Sequence, residues 1–438
     1  MADLRRAGPA GLNLLSASEA AAQIAAKKIT SEALVSDCIA RVEARNPALH
    51  AWAFVDRNIA LAQARARDKE PSRGVLHGVP VGIKDVLDTS DMPTEYGSKL
   101  YAGHRPSADT ACVALLRLAG AVILGKTATT EFATPVPIGV RNPHDLERSP
   151  GVSSSGSAAS VADYHVPAAL GTQTGGSVIR PSTYCGLFGY KASLAGLDRG
   201  GIRQLRPTLD TLGFMVRAFD DIGLIRRALT AARPTSTPTR RPKLGVCRTP
   251  QWSMAKPEIV QALEQAERRL GKSAELIPVE LPREFDGILD SFRVIANVEG
   301  AAALKTEIRD HLDGMNRWLK ETAAMMKTTT EADYERAQAH AIRCRNALLA
   351  VLSGLDGIIT PAASSESPRN LTEIEDSSFN SLWTLMHGPC ITIPAFTGPN
   401  GMPVGLQVVG AIGADDATIA LAGWVARELG DIPQALAA

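Results

Sequence analysis

SPGVSSSGSAASVADYHVPAALGTQTGGSVIRPSTYC, residues 149–185, joins two clusters of small residues, Gly151–Ala159 and Gly171–Ser177, through an apolar link containing Val161, Val166, Ala168, Ala169 and Leu170. Gly and Ser bury little apolar surface, so the clusters are expected to matter through backbone shape rather than as core. Glycine admits positive φ and close approach of a ligand to the main chain, and the hydroxyls of Ser153, Ser154, Ser155 and Ser177 supply donors, acceptors and nucleophiles. A flexible Gly/Ser linker has the same composition. The apolar link, and CGLFGY at 185–190, argue instead for a built catalytic or anion-binding site.

Outward from this stretch, short apolar runs alternate with helical patterns. VPVGI (79–83) and AVILG (121–125) read as strands with a helix over Thr110–Leu118 between them. Toward the N-terminus, Ser16-Ala-Ser-Glu19 has capping-box form, and Leu34, Val35, Cys38, Ile39 and Val42 share one helical face. Beyond the site, Leu244–Cys247, Leu355–Pro361 and Cys390–Ala395 return to strand patterns. Asn400-Gly401 marks a hairpin into VGLQVVG, and Asp415 or Asp416 is placed to cap a last helix running through Ala426. Strands alternating with helices give an α/β fold: a single large domain over residues 1–438, with a twisted mixed β-sheet and helices on both faces. Arg233–Pro242 reads as a Pro/Thr-rich surface connector, and the region from about 250 to 353 is mostly helical in pattern.

Composition excludes several classes. With 438 residues, 45% hydrophobic and 21% charged, the chain is that of a globular protein with a packed core. Its net charge of +1 gives no field toward nucleic acid or an anionic membrane surface. The N-terminus has no secretory apolar run and no segment reaches bilayer-crossing length, so a cytoplasmic location is expected. Six cysteines, at 38, 112, 185, 247, 344 and 390, lie singly and read as reduced thiols; the eight histidines form no HExxH pair, so no metal is assigned.

Gly120–Thr127 matches the phosphate-loop pattern GxxxxGK[ST], which would make the chain a nucleotide-binding module. The residues between its glycines, Ala-Val-Ile-Leu, form a buried-strand pattern that leaves no cradle for phosphate. Ser253-Met-Ala-Lys256 is the one SxxK, and Pro257 follows it without the partner motifs of penicillin-recognising enzymes. A serine nucleophile needs a base, yet there is no GxSxG elbow, and His165 in the apolar link reads as structural. A histidine converging from elsewhere in the chain stays open at this point.

GVSSSGSAAS followed by GTQTGGSVIRPS strongly resembles the amidase signature family, and GVPVGIKDVLDT, GAVILGKTATTEF, RNPHD, ITIPAF and GMPVGLQVVG match it in the same order. The likeness thins between about residues 235 and 375. Within the family, GTQTGGSVIRP is most similar to the malonamidase type. The resemblance implies a lysine–serine–serine triad: Lys84 as base, Ser153 as bridging serine and Ser177 as nucleophile. It also implies oxyanion donors at the N–H groups of Thr174, Gly175, Gly176 and Ser177, and no cofactor. The activity implied is hydrolysis of small amides, including acid amides, aryl amides and carbamates (a urethanase reaction), with the amide and water as partners. The alternative within the family is the amidase component of a tRNA-dependent amidotransferase, although the GSDTGGSIR form found there differs from the one here. The N-terminal helices allow a homodimer, and the 250–353 region is expected to cover the active site. Arg180 is a candidate for holding a substrate carboxylate, with a structural ion pair as the other reading. The resemblance implies a cis bond before Ser153, where this chain has Val152 in place of the family's glycine.

Overall fold

The computed structural model describes residues 11–230, 240–369 and 371–430. Most of the 233–242 connector lies outside these residues. Eleven strands make one sheet: β1 (Trp52–Val55), β2 (Pro80–Lys84), β3 (Val122–Thr127), β4 (Ala168–Gln173), β5 (Phe188–Lys191), β6 (Thr211–Val216), β7 (Lys243–Cys247), β8 (Glu275–Val279), β9 (Gly357–Pro361), β10 (Cys390–Thr397) and β11 (Pro403–Val409). Their order is β1-β3-β2-β4-β6-β5-β10-β11-β9-β7-β8. The sheet is mixed: β2 runs parallel to β3 and β4, and β7 parallel to β8 and β9, with antiparallel pairings between these groups.

Consecutive strand residues point to opposite faces, and here they feed two separate cores. Ile359, Ile391 and Val408 join one apolar cluster, while their neighbours Ile358, Cys390 and Val409 join the other. A sheet with an apolar core on each face needs helices on both, which is the expected single-domain α/β architecture. Ser16 caps the helix Ala17–Ala25 in a true capping box, and the helix Ser31–Leu49 buries Leu34, Val35, Cys38, Ile39 and Val42. No helix among the described residues is long and apolar enough to cross a membrane, and all six cysteines are free and buried.

The structure corrects three readings. The cluster 155–162 is a helix with every residue buried, because small side chains let it approach the sheet closely: a Cβ on Gly156 would lie 2.3 Å from the Ala51 carbonyl oxygen. The last helix, Asp415–Leu429, has no side-chain cap. Asp415 turns inward and accepts from Tyr190 Oη at 2.6 Å and from Ser193 N and Oγ at 2.9 and 2.6 Å. The helical region carries an unforeseen strand, β8, between the helices Pro257–Leu270 and Ile288–Ala303.

The phosphate-loop match is the strand β3 with its flanks. Lys126 is fully buried, 3.1 Å from Asp85, and hydrogen-bonded to Thr94. A lysine engaged in this way is not offered to phosphate.

Candidate active site

Lys84 is the last residue of β2, in register with Thr127 on β3, and is fully buried. Its Nζ lies 2.8 Å from Ser153 Oγ, 3.0 Å from Thr172 Oγ1 and 3.4 Å from the Thr172 carbonyl. Burial pulls the Lys84 ammonium down to about 7, against a smaller upward pull from the Asp210 carboxylate. At neutral pH the amine therefore exists in both forms. Protonated, it donates to Ser153; neutral, it has a lone pair to accept the serine proton.

Ser153 is 1% exposed, and the Val152–Ser153 bond is cis, as the resemblance implies. The segment bearing it is gripped by two charged residues. The N–H of Val152 donates to Glu375 Oε2 at 3.2 Å, and Arg180 Nη2 donates to the Val152 carbonyl at 2.7 Å. Arg180 Nε stands 3.0 Å from Glu375 Oε2 in an ion-pair contact bent too far for a hydrogen bond. Glu375 also receives Ser149 Oγ, and Arg180 Nη1 donates to the Asp376 carbonyl. Arg180 is thus the structural ion pair, not a free carboxylate receptor, and at 2% exposure its charge is already matched.

This clamp carries a prediction. Glu375→Ala leaves Arg180 buried without its counterion, which costs roughly 3–5 kcal/mol. It also frees the Val152 N–H and Ser149. Urea denaturation should show a large fall in midpoint, and kcat should fall further than KM changes because Ser153 loses its support. Unchanged stability and kcat would mean that the pair does not position Ser153.

Ser177 ends the TGGS turn that leaves β4, and is 8% exposed. Its hydroxyl has no hydrogen-bond partner among the described residues. The turn is fixed from several sides. Gln173 Oε1 accepts from the N–H groups of Val178 and Ile179, both at 2.9 Å; Thr174 Oγ1 donates to Asp210 Oδ1; Thr384 Oγ1 donates to the Gly175 carbonyl at 2.8 Å. The backbone N–H groups of Thr174, Gly175, Gly176 and Ser177 donate to no described group. Such a row of uncommitted donors suits a developing oxyanion. A Cβ on Gly176 would lie 2.5 Å from Asn380 Oδ1, so a larger residue there would have to displace the Asn380 side chain.

The chemistry open to this arrangement is acyl transfer to Ser177. His165 is not a base for it: its Nδ1 accepts the Trp52 indole N–H at 2.9 Å, its other nitrogen meets Asp163 at 3.0 Å, and burial holds its pKa below the usual value. Sequence reasoning misses Thr172, Gln173, Asp210 and Glu375. Thr172 and Gln173 lie inside the quoted motif, but their polar side chains give no hint of whether they face Lys84 or the turn. Asp210 and Glu375 come from distant stretches with no local signature.

A family profile described as Amidase matches residues 33–419. The chain is 31% identical to the A subunit of glutamyl-tRNA(Gln) amidotransferase from Anaeromyxobacter sp. (strain K), over 95% of this chain and 96% of that one. Its counterpart of the same name from Anaeromyxobacter dehalogenans (strain 2CP-C) is 32% identical, with the same coverage. Among solved structures, a "Crystal structure of amidase" superposes with TM-score 0.88 at 29% identity, covering 95% of this chain and all of the other. The native peptide amidase of Stenotrophomonas maltophilia superposes with TM-score 0.84 at 26% identity, covering 97% and 98%. Fold and relatives define an enzyme, a hydrolase acting on carbon–nitrogen bonds. The chain belongs to the amidase signature family.

Proposed function

We propose that this chain hydrolyses small amides through an acyl-enzyme on Ser177, with Lys84 as base acting through Ser153. The observation that carries the reading is the buried 2.8 Å contact between Ser153 and an amine whose pKa lies at about 7. Ser177 Oγ attacks the carbonyl carbon while its proton passes to Ser153, and the Ser153 proton passes to Lys84. The N–H groups of Thr174 to Ser177 receive the oxyanion. As the intermediate collapses, the proton returns through Ser153 to the leaving nitrogen and the C–N bond breaks. Water, deprotonated by the same relay, then attacks the ester and frees Ser177. Every proton has a donor and an acceptor within the triad and the substrate, so the cycle balances without a cofactor.

The helical region, residues 257–352, is read as a cover over this site. In support, it touches the loop that carries Asp210, which in turn holds Thr174: Arg206 Nε on that loop donates to the Ala296 carbonyl at 3.2 Å. The test is a panel of amides, acid amides, anilides and carbamates scored for ammonia or amine release. Absence of release from every class would overturn the hydrolase reading for the isolated chain.

A second reading has its own support in the 31% identity, over nearly the whole chain, to the amidotransferase component of Anaeromyxobacter sp. (strain K). Against it, Gln173 stands where the GSDTGGSIR form carries aspartate, and here its amide oxygen pins the turn after Ser177. The malonamidase likeness rests on the GTQTGGSVIRP motif and the overall size, whereas the curated relatives named above are amidotransferase A subunits. Rapid amide hydrolysis by the lone chain favours the independent amidase; ammonia release only in the presence of partner proteins favours the amidotransferase.

A further inference from the structure

Between the base and the oxyanion turn stands one carboxylate with a link to each. The antiparallel pairing of β4 with β6 sets Thr172 opposite Leu212 and Gln173 opposite Thr211. One position further on, Thr174 and Asp210 are joined by side chains instead, Thr174 Oγ1 donating to Asp210 Oδ1. Two residues back along β4, Thr172 Oγ1 lies 3.0 Å from Lys84 Nζ. The other oxygen of Asp210 serves its own loop, accepting the N–H groups of Leu205 and Arg206 at 2.9 and 2.8 Å. That loop is fixed further by the Asp210 main chain, whose N–H donates to the Arg206 carbonyl at 2.7 Å and whose carbonyl accepts from Arg199 Nη1 at 2.8 Å.

The charges around the base are otherwise matched. Asp85, next to Lys84 in the chain, pairs with Lys126, and Glu375 pairs with Arg180. Arg206 is buried on the Asp210 loop, where the Asp210 and Glu299 carboxylates offset its charge. Burial lowers the Lys84 ammonium to about 7, and the Asp210 carboxylate is the charge that opposes this. An aspartate needed only to shape residues 205–210 would do so through Oδ2. Oδ1 goes instead to the turn that ends in Ser177.

We propose that Asp210 is a positioning residue for amide hydrolysis, seating the oxyanion turn through Thr174 and stabilising, by its charge, the ammonium that Lys84 becomes when it receives the serine proton. The inference rests on the amide-hydrolase reading and adds to it a residue that acts through Thr174 and Lys84 rather than on the substrate. Its two effects are separable. Asparagine has nearly the same shape, with an amide oxygen to accept the Leu205 and Arg206 N–H groups and an NH₂ to donate to Thr174 Oγ1, so the exchange removes the charge and keeps the bonds. Thr174→Val does the reverse.

The test follows kcat and kcat/KM against pH, on an amide that the wild type hydrolyses, in Asp210→Asn, Thr174→Val and Thr174→Ser. Without the carboxylate the Lys84 ammonium is less favoured and gives up its proton at lower pH, so the acid limb moves down. At about pH 5.5, kcat/KM relative to its plateau should rise about threefold or more in Asp210→Asn. In Thr174→Val the limb should stay in place while plateau kcat falls about tenfold and KM changes little, and Thr174→Ser should recover part of that loss. A role confined to the loop would lower stability without moving the limb. An unmoved limb in Asp210→Asn overturns the proposal, as does undiminished kcat in Thr174→Val. If the asparagine variant fails to fold, the threonine variants decide: undiminished kcat in valine, or serine no better than valine, overturns it. Fluorophosphonate labelling of wild-type Ser177 separates this from the parent reading. Labelling and turnover, with a limb that Asp210→Asn leaves in place, remove Asp210 alone; no labelling and no turnover of any amide bring down the hydrolase reading and the role of Asp210 with it.

Discussion

Ser177→Ala should abolish amide turnover, with kcat falling by roughly 10⁴-fold or more, the scale seen when a serine nucleophile is removed from a working relay. No described hydroxyl shares its place at the end of the TGGS turn. Ser153 is 1% exposed and committed to Lys84, and Ser154 Oγ donates to the Thr172 carbonyl at 3.2 Å. Fluorophosphonate labelling followed by peptide mapping should find the adduct on Ser177 in wild type and none in the variant. An adduct on Ser253, in the chance SxxK, or retained turnover in Ser177→Ala, would remove Ser177 from the nucleophile's role. Substrate binding should survive the substitution, because the proposed oxyanion donors are backbone groups that the alanine keeps.

Lys84→Arg should be nearly as damaging, with kcat lower by about 10²- to 10⁴-fold, the usual worth of a positioned general base. Guanidinium keeps the charge but does not give up its proton in the working pH range. The sign of the pH dependence follows from the direction of the shift. Burial lowers the lysine pKa to about 7, so the neutral base is present above that pH and is lost as pH falls through it. Wild-type kcat/KM should therefore rise about tenfold per pH unit below 7 and level off above it. The variant should lose that limb. A wild-type profile flat from pH 5 to 9, or near-native kcat in Lys84→Arg, would show that another group takes the proton.

Much of this site is legible in the sequence because its motifs are dense. Ser153 and Ser177 sit among glycines whose use is backbone shape, so composition marks a catalytic or anion-binding site, while the choice of Lys84 over a converging histidine as base comes from the family resemblance and not from residue type and spacing. Arg180 is legible only as a choice between two roles. Its resolution requires Glu375, 195 positions away in the chain and at the end of the stretch of weakest family likeness. The strand β1 is hard to see because four residues, WAFV, with only the first buried, carry too short an alternation to read. β8 is hidden for a related reason: ELIPV has no fully buried residue and lies between two long helical patterns. The serine-rich helix shows a limit of composition itself. Small residues offer little area to a core, yet smallness is what lets that helix lie against the strands.

The order of strands also bears on how the chain is made. β1 to β6 form a contiguous half-sheet, β1-β3-β2-β4-β6-β5, which contains Lys84 on β2 and runs out of β4 into Ser177. The other half joins it only where β5 meets β10, through Lys191 opposite Cys390 and Tyr190 opposite Ile391. The free edge of β5 therefore leaves the ribosome about 200 residues before its partner, a wait of roughly 10 to 40 s at ordinary synthesis rates. An unpaired strand edge offers its N–H and C=O groups to any passing chain. Expression of this enzyme should accordingly be limited by capture of half-made chains at β5, with lower growth temperatures or holding chaperones raising the soluble yield while the stability of the finished fold stays the same.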